Sequence, residues 1–346
     1  MLHKFFIAIF AFVIVFSSCT DSGPEETQKF DTGTFIINQG AFASGTGTIT
    51  YTNNNVVIQD VYAKQNSGLV LGSIAQSIHK FDQKYFIAVN NAAKVTVVDA
   101  ATFKYKGEIK LDLPRYFATV GDKLYVTSWT NDFKSGFINL IDHKTFKVTK
   151  SVAIDGLAEK MVEKNGLLYI TVSAQANDPL NGHIVVYDTT KDEIKETIKV
   201  GDNSNDIVLD KNGDIWVICS GFSDFTDPNK NTNGSLHKIT GNKSVYTRTL
   251  SNGANGLVTN AAKNKLYFMM DSQVLEFDPT NTTIDPKSIA NGYYFAMSMD
   301  TQNDHIFLAD AKDFQKNGEI KVIDTKGNAV RTVSAGLIPG FVYFSK

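Results

Sequence analysis

Short apolar runs recur along the chain, and most of them end in a polar turn that begins with aspartate. Five runs share this form, namely "VTVVDAATF", "INLIDHKTF", "IVVYDTTKD", "VLEFDPTNT" and "IKVIDTKGN". Two more, "LHKITGNKS" and "TITYTNNNV", keep the register with threonine in place of aspartate. Asp99, Asp142 and Asp188 follow one another at intervals of about 45 residues, a spacing typical of propeller repeats. The pattern predicts seven repeats of one unit.

The repeated aspartate is interpreted as a turn-forming residue. Asp, Asn or Thr at the start of a tight turn can accept a hydrogen bond from the backbone two residues further on. This local role explains why the residue type recurs at one position in every unit. A catalytic role is not expected for it.

A second pattern precedes each of these runs and places an aromatic residue at one position of a buried strand. These residues are Phe86, Tyr125, Tyr169, Trp216, Tyr267 and Phe307. Another apolar segment comes before each of them, and a segment rich in Lys and Glu follows the turn. Charged side chains suit an exposed edge strand because they discourage edge-to-edge pairing. Each unit is therefore predicted to be four antiparallel strands, which form a propeller blade.

The two ends of the repeat region are complementary. The chain stops at "IPGFVYFSK", an innermost-strand pattern without a following partner, and residues 34–61 supply only the three outer strands of a blade. Pairing them closes a ring. The predicted fold class is therefore all-β, a single seven-bladed β-propeller over residues 33–346.

The N-terminus carries a short apolar run, from Phe5 to Phe16, followed by "SSC". The run is too short to span a bilayer and is typical of a secretory signal. Residues 1–19 are predicted to be a lipoprotein signal peptide with Cys19 as the lipidated residue, and residues 20–32 a flexible tether. An ordinary signal peptide and an uncleaved anchor are the alternatives.

Composition excludes several classes of function. The formal net charge is −2 and the pI is about 6.3, which leaves no electrostatic footprint for nucleic acid. With Cys19 lipidated, Cys219 is the only cysteine left, so no disulfide is possible, and it is interpreted as a small buried hydrophobe. His79, His143, His183, His237 and His305 fall in separate blades, and no Gly-Xaa-Ser-Xaa-Gly motif is present. No catalytic residue and no cofactor are expected.

The repeats resemble the YncE-like, YVTN-type propellers over nearly the whole mature chain. The opening "GTFIINQGAFASGTGTITYTNNN" is similar to the start of propeller lipoproteins from the Bacteroidota, a group that includes cobalamin-binding surface proteins of the BtuG kind. The resemblance implies a lipid-anchored outer-membrane protein that faces the cell surface. Its implied partners are a small-molecule ligand, such as a corrinoid or another large amphipathic nutrient, or a TonB-dependent transporter. A monomeric or transporter-associated state is expected.

Long links are predicted to crowd one face of the ring, here called the long-loop face: residues 38–47, 128–136, 173–182, 220–233 and 309–318, with the crossing 62–73. The opposite face, here called the Asp-turn face, carries the tight turns. Binding residues usually lie on loops held by a rigid scaffold. The candidate ligand-binding residues are Trp129, Phe133, Arg115, Phe222, Phe225, Asp224, Asn131, Asn177, Phe42, Tyr293, Tyr294 and Phe314. The insert 220–233 is expected to line the site together with Trp129, Phe133 and Arg115.

Two alternatives remain open. Glu159, Asn205, Asp206 and Asn255 fall at the channel entrance of successive blades, and this set resembles the divalent-cation site of propeller lactonases. A metal-dependent lactonase-like hydrolase is therefore the first alternative. A purely structural protein-interaction propeller is the second.

Overall fold

The computed structural model describes residues 28–42, 45–53, 56–173 and 182–346. Cys19, the start of the predicted tether and Asn177 lie outside these residues. The described chain forms seven four-stranded antiparallel sheets arranged in a ring, a seven-bladed β-propeller. This confirms the predicted fold class. No helix of the described residues is long and apolar enough to cross a membrane.

The strands follow the chain blade by blade. The first blade combines β1 (Gly33–Asn38), β2 (Thr48–Thr52) and β3 (Val57–Ile58) with the last strand, β28 (Pro339–Ser345). The second and third blades are β4 (Ala75–Phe81), β5 (Lys84–Val89), β6 (Lys94–Asp99), β7 (Tyr105–Lys110), and β8 (Pro114–Val120), β9 (Lys123–Trp129), β10 (Gly136–Asp142), β11 (Lys147–Ile154). The fourth and fifth are β12 (Leu157–Lys164), β13 (Leu167–Ser173), β14 (His183–Asp188), β15 (Glu193–Lys199), and β16 (Ser204–Leu209), β17 (Ile215–Cys219), β18 (Gly234–Thr240), β19 (Lys243–Leu250).

The sixth and seventh blades complete the ring. They are β20 (Asn255–Thr259), β21 (Leu266–Met270), β22 (Gln273–Phe277), β23 (Lys287–Asn291), and β24 (Ala296–Asp300), β25 (His305–Asp310), β26 (Asn317–Asp324), β27 (Ala329–Leu337). Helical residues are confined, in the described chain, to α1 (Val61–Gln65) and to the 3₁₀ turns Asn90–Ala92 and Pro228–Lys230.

The ring is closed by pairing β28 with β1, as predicted. The register places Thr34 opposite Phe344 and Ile36 opposite Val342. The backbone N–H of Val342 also lies 3.3 Å from Ser298 Oγ in the preceding blade, where the hydroxyl accepts its hydrogen bond. The last strand of the chain is therefore held from both sides, by its own blade and by its neighbour.

The repeated aromatic residues of the second strands pack between blades, because each blade buries its flat faces against the next. All six are at most 4% exposed. The propeller also begins earlier than predicted. Phe30, which was assigned to the tether, is 1% exposed, lies with its ring 4.9 Å from that of Tyr51, and donates its backbone N–H to Ala101 O at 2.9 Å. The tether prediction was thus wrong at its C-terminal end.

The repeated aspartates form the turns that the sequence predicted. In each case Oδ1 accepts a hydrogen bond from the backbone N–H two residues further on, at 2.8–3.1 Å, at Asp99, Asp142, Asp188, Asp278 and Asp324. These bonds satisfy backbone donors that a tight turn would otherwise leave without a partner. The aspartates are therefore structural.

Burial of His79 predicts acid sensitivity. Its ring packs 6.2 Å from Phe117 and 6.0 Å from Tyr343, and burial lowers the pKa of the imidazole to about 4. The unfolded chain, with a histidine pKa of about 6.5, therefore binds more protons between these two pH values, and stability falls as the pH drops through this window. We expect a loss of about 3 kcal/mol from this residue. Denaturant unfolding at several pH values should show that His79→Gln removes this part of the pH dependence. His305→Gln, at the turn between β24 and β25, is the control.

Candidate functional site

The innermost strands β4, β8, β12, β16, β20, β24 and β28 contact one another in a closed ring. They enclose a central cavity of about 710 Å³, to which all seven strands contribute lining residues. Gln39, Phe42 and Phe133, from links of the long-loop face, also line it. The cavity therefore opens on the face where binding was expected.

Irregular strand pairing directs side chains into this cavity. Six of the seven innermost strands lose register with their neighbours near the cavity mouth, which leaves one or two residues of each outside the regular ladder. Those residues include Gln76, Arg115, Glu159 and Asn205, all of which line the cavity. A β-bulge bends the strand and re-aims a side chain. The bulges thus turn the tops of the strands into a binding wall.

Arg115 is fixed on three sides. Its Nη2 and Nε donate to the Glu159 carboxylate at 2.8 Å and 3.2 Å, and its Nη1 donates to Gln76 Oε1 at 2.7 Å. Its guanidinium carbon lies 3.9 Å from the ring centroid of Trp129, which is the geometry of a cation–π contact. Trp129 in turn donates its indole N–H to Ala158 O at 2.9 Å. This part of the wall is therefore preorganised.

A second ion pair lies beside the first. Lys160 Nζ pairs with Asp206, whose other oxygen accepts the backbone N–H of Gly256 at 3.0 Å. Burial opposes the charge on Lys160, but the Asp206 carboxylate outweighs it and raises the lysine pKa. Burial also raises the pKa of the Glu159 carboxyl, against the lowering effect of the Arg115 guanidinium. Since the cavity lining holds two cations and two anions, its formal charge is zero.

The opposite side of the cavity is apolar. It is formed by β20, β24 and β28, which contribute Leu257, Val258, Met297, Met299, Phe341 and Phe344. Tyr116 joins the two sides, because its hydroxyl accepts a hydrogen bond from Gln76 Nε2 at 2.8 Å and its ring lies 6.0 Å from Phe341. The cavity is therefore polar on one side and apolar on the other.

Four of the twelve candidate ligand-binding residues line this cavity, namely Arg115, Trp129, Phe133 and Phe42. The four residues of the alternative metal set, Glu159, Asn205, Asp206 and Asn255, line it as well. These four binding candidates and the alternative metal set therefore share one site.

The insert 220–233 does not line the cavity. Instead it folds on itself: Phe222 and Thr232 exchange hydrogen bonds, and the side chain of Asn252, in the following blade crossing, donates to the carbonyls of both. Asp224 accepts hydrogen bonds from Thr226 within the same loop. These bonds hold the insert over the crossing that follows its own blade. Phe225, at its tip, is 98% exposed.

The remaining candidates also lie away from the cavity. Tyr293 is exposed, Tyr294 donates its hydroxyl to Asn291 O, and Phe314 packs edge-on against Phe295 at 5.6 Å. Asn131 is exposed in the link after Trp129. Phe295 itself lines the cavity. Phe314 therefore packs against the outer side of a lining residue and does not face the cavity.

The alternative metal set does not fit a divalent cation as it is arranged. Both of its carboxylates are already engaged, Glu159 by Arg115 and Asp206 by Lys160. Asn205 donates to Ser220 Oγ, and its buried Oδ1 has no hydrogen-bond partner among the described residues. In the part of the chain that the structure describes, no group of three or more His, Cys, Asp or Glu side chains could hold a metal ion.

The sequence analysis missed Gln76, Tyr116 and Lys160, and it missed the whole apolar wall. A signal was present for the polar residues. Each is the second, third or fourth residue of an innermost strand, at or next to the place that Arg115, Glu159 or Asn205 takes in its blade. Aligning the innermost strands of the repeats would have grouped them.

Comparison with known proteins places the chain in a family. Residues 32–335 match a family described as a domain of unknown function, DUF5074. The chain belongs to the DUF5074 family. No curated protein matches it. The DUF5074 match covers all of the blades except the closing strand.

Solved structures show the same fold at low identity. A quinonprotein alcohol dehydrogenase-like protein from Bacteroides thetaiotaomicron has a TM-score of 0.67 at 16% identity, over 92% of this chain and 79% of that one. The periplasmic gluconolactonase PpgL of Pseudomonas aeruginosa has a TM-score of 0.63 at 12% identity, over 91% and 99%. A hypothetical selenium-binding protein from Sulfolobus tokodaii has a TM-score of 0.65 at 10% identity, over 92% and 94%. At such identities the similarity shows the fold alone.

Proposed function

We propose that this DUF5074 protein is a binding protein of the bacterial cell envelope, which holds a large amphipathic small molecule in its central cavity. The observation that carries the proposal is the cavity of about 710 Å³ on the long-loop face, with a preorganised polar side and an apolar side. Pockets of a few hundred cubic ångströms with few, well-placed polar groups are typical small-molecule sites.

The state of the polar groups favours binding over turnover. Both carboxylates of the cavity are engaged in ion pairs, Glu159 with Arg115 and Asp206 with Lys160, so neither can act on a substrate or hold a metal ion without breaking its pair. Cys219 is buried, and burial raises the pKa of its thiol to about 12, which suppresses the nucleophilic thiolate. The cavity therefore supports recognition.

Trp129→Ala should weaken ligand binding by roughly 2–4 kcal/mol, a loss of roughly 30- to 800-fold. The indole supplies a flat wall that is fixed by Arg115 and Ala158 before any ligand arrives. The measurement is a thermal-shift screen of corrinoids, haem and oligosaccharides, followed by calorimetry. Phe225→Ala is the matched control, because Phe225 is exposed and lies outside the cavity. Equal losses from both variants would place the site elsewhere on the long-loop face.

Corrinoids lead that panel because of the resemblance of residues 33–55 to the Bacteroidota propeller lipoproteins. Docking on a TonB-dependent transporter is proposed as the partner role of the same face. Phe42, Phe225 and Tyr293, which are 70%, 98% and 74% exposed, support this role, since exposed aromatic residues are common anchors of protein interfaces.

Lipid attachment at Cys19 would join the propeller at its Asp-turn face and leave the long-loop face free for a ligand or a transporter. Phe30 and Asp31 enter the propeller at the Asp-turn face, where their backbone groups bond to Ala101 and Ser345. A tether from Cys19 therefore joins the face opposite the cavity mouth. The proposed outer-membrane, surface-facing location rests on the resemblance of residues 33–55 to the Bacteroidota propeller lipoproteins.

Cys19→Ala should yield unprocessed or mislocalised protein that no longer partitions with the outer membrane. The reason is that a thioether to lipid can form only at that sulfur, since Cys219 is buried in the fold. Membrane fractionation and mass spectrometry of the N-terminus are the measurements, with Ser18→Ala as the control. Normal processing of the Cys19→Ala protein would contradict the lipoprotein assignment.

A metal-dependent lactonase-like hydrolase is the second candidate. It is favoured by the placement of Glu159, Asn205, Asp206 and Asn255 in one cavity, and a gluconolactonase is among the proteins of similar fold. The engaged carboxylates argue against it. Turnover of lactones with added calcium, abolished by Asn205→Ala, would decide for this candidate.

A further inference from the structure

The polarity of the cavity lining also changes with depth, from the mouth inwards. Each innermost strand runs from the long-loop face towards the Asp-turn face, so its first residues lie at the mouth. In β16 the mouth residues Asn205 and Asp206 are followed by Val208, and in β20 Asn255 is followed by Val258. At about 3.3 Å per residue, these valines lie roughly 10–13 Å below the first residues of their strands. On these two strands the mouth is polar and the level of the two valines, here called the well, is apolar, with Thr259 and Thr301 lining the cavity below it.

The charged groups at the mouth leave no net charge for a ligand to neutralise. The four charged lining residues form two mutual pairs, Arg115 with Glu159 and Lys160 with Asp206. Glu159 and Asp206 are each 7% exposed. A charged ligand group entering here would lose its hydration and would have to compete with one of these pairs, at a cost that a partly buried site makes large. Neutral groups with hydrogen-bond donors and acceptors carry no such cost.

We propose that the cavity takes an uncharged amphiphile, whose apolar portion enters the well between Val208, Val258 and Met299 and whose hydrogen-bonding head stays at the mouth beside the two ion pairs. This inference rests on the proposed binding function and narrows it to one ligand class. Compounds whose hydrogen-bonding head carries a net charge, such as a carboxylate or a sulfonate, are excluded from that class. Fully polar sugars without an apolar portion are excluded as well.

Two fluorescent probes test the charge requirement. N-phenylnaphthylamine and anilinonaphthalene sulfonate share their rings and bridging N–H, and differ by the anionic sulfonate. The neutral probe should bind wild-type protein at least tenfold more tightly. The neutral probe is also the more apolar of the two. The decisive measurement is therefore the change that Glu159→Gln makes in the ratio of the affinities for the two probes. That variant leaves one uncompensated positive charge at the mouth, so the ratio should shift at least fivefold towards the sulfonate. Asp313→Asn, the same change in charge on the exposed link 309–318, should leave the ratio unchanged.

Isosteric substitutions test the well. Val208→Thr and Val258→Thr place a hydroxyl against the apolar portion of the probe, and each should weaken binding of N-phenylnaphthylamine at least threefold. Val245→Thr, at an exposed position of β19, is the control. If Glu159→Gln leaves the ratio of the two probe affinities unchanged, the neutral-head proposal is wrong. If Val208→Thr and Val258→Thr bind N-phenylnaphthylamine as tightly as the wild-type protein does, the apolar well is wrong. Failure of both probes to bind also overturns this inference. The proposed binding function then stands or falls separately, on whether any member of the ligand panel binds in a Trp129-dependent way.

Discussion

Deletion of residues 339–346 should abolish cooperative folding of the propeller at ordinary temperatures. The deleted segment is β28, which supplies the innermost strand of the first blade and its whole ladder with β1. Phe341 and Tyr343 pack against the core of the first and second blades, whereas Val342 is 4% exposed in a different cluster, with Phe307 of the seventh. Losing a core aromatic residue costs about 3–5 kcal/mol, and total stability is about 5–15 kcal/mol. The deletion therefore removes most of the free energy of unfolding.

Circular dichroism and denaturant titration measure this effect. The control is deletion of Lys346 alone, an exposed residue that follows the last strand. That shorter deletion should leave the transition midpoint almost unchanged. A protein that lacks residues 339–346 but melts cooperatively at the wild-type temperature would show that the ring does not need this strand.

The same strand shows why the fold could be predicted from the sequence. The pattern of "IPGFVYFSK" is that of an innermost strand and the pattern of "TFIINQG" is that of a second strand, so the two together complete one blade. An open ring would leave two unpaired edges, which all-β proteins avoid. Repetition supplied the rest, because seven copies of one pattern constrain a blade much more strongly than any one copy does.

The candidate site was only partly predictable, because a bulge leaves little trace in the sequence. Arg115 and Glu159 lie within innermost strands, yet their side chains leave the ladder and meet across two blades. The insert 220–233, which was predicted to line the site with Trp129, lies outside the cavity for a different reason. Loop length indicates which face a loop occupies, but the bonds of Asn252 to that insert determine the direction in which it folds.

Arg115→Leu should destabilise the protein by about 3–5 kcal/mol, which is the usual cost of leaving one partner of a buried ion pair uncompensated. The Arg115 and Glu159 side chains are only 14% and 9% exposed. Burial already raises the pKa of the Glu159 carboxyl, and without the guanidinium it should rise further. A carboxyl whose folded-state pKa exceeds its unfolded value binds protons more tightly when folded, so the penalty should be smallest in acid. It should grow as the pH rises from about 4.3, the ordinary pKa of glutamate, through the raised value.

Denaturant unfolding of Arg115→Leu at several pH values gives both results. Arg248→Leu is the matched control: Arg248 pairs with Asp285, a 91% exposed carboxylate, so that ion pair should contribute about 1 kcal/mol or less, without this pH dependence. The double variant Arg115→Leu/Glu159→Leu should regain much of the loss, because it removes the stranded charge together with its partner. If the loss in free energy of unfolding of the double variant equalled the sum of the losses in the two single variants, the two residues would not act as a pair. The polar side of the cavity would then have to be held by other contacts, with the stacking of Arg115 on Trp129 as the next interaction to test by the same cycle.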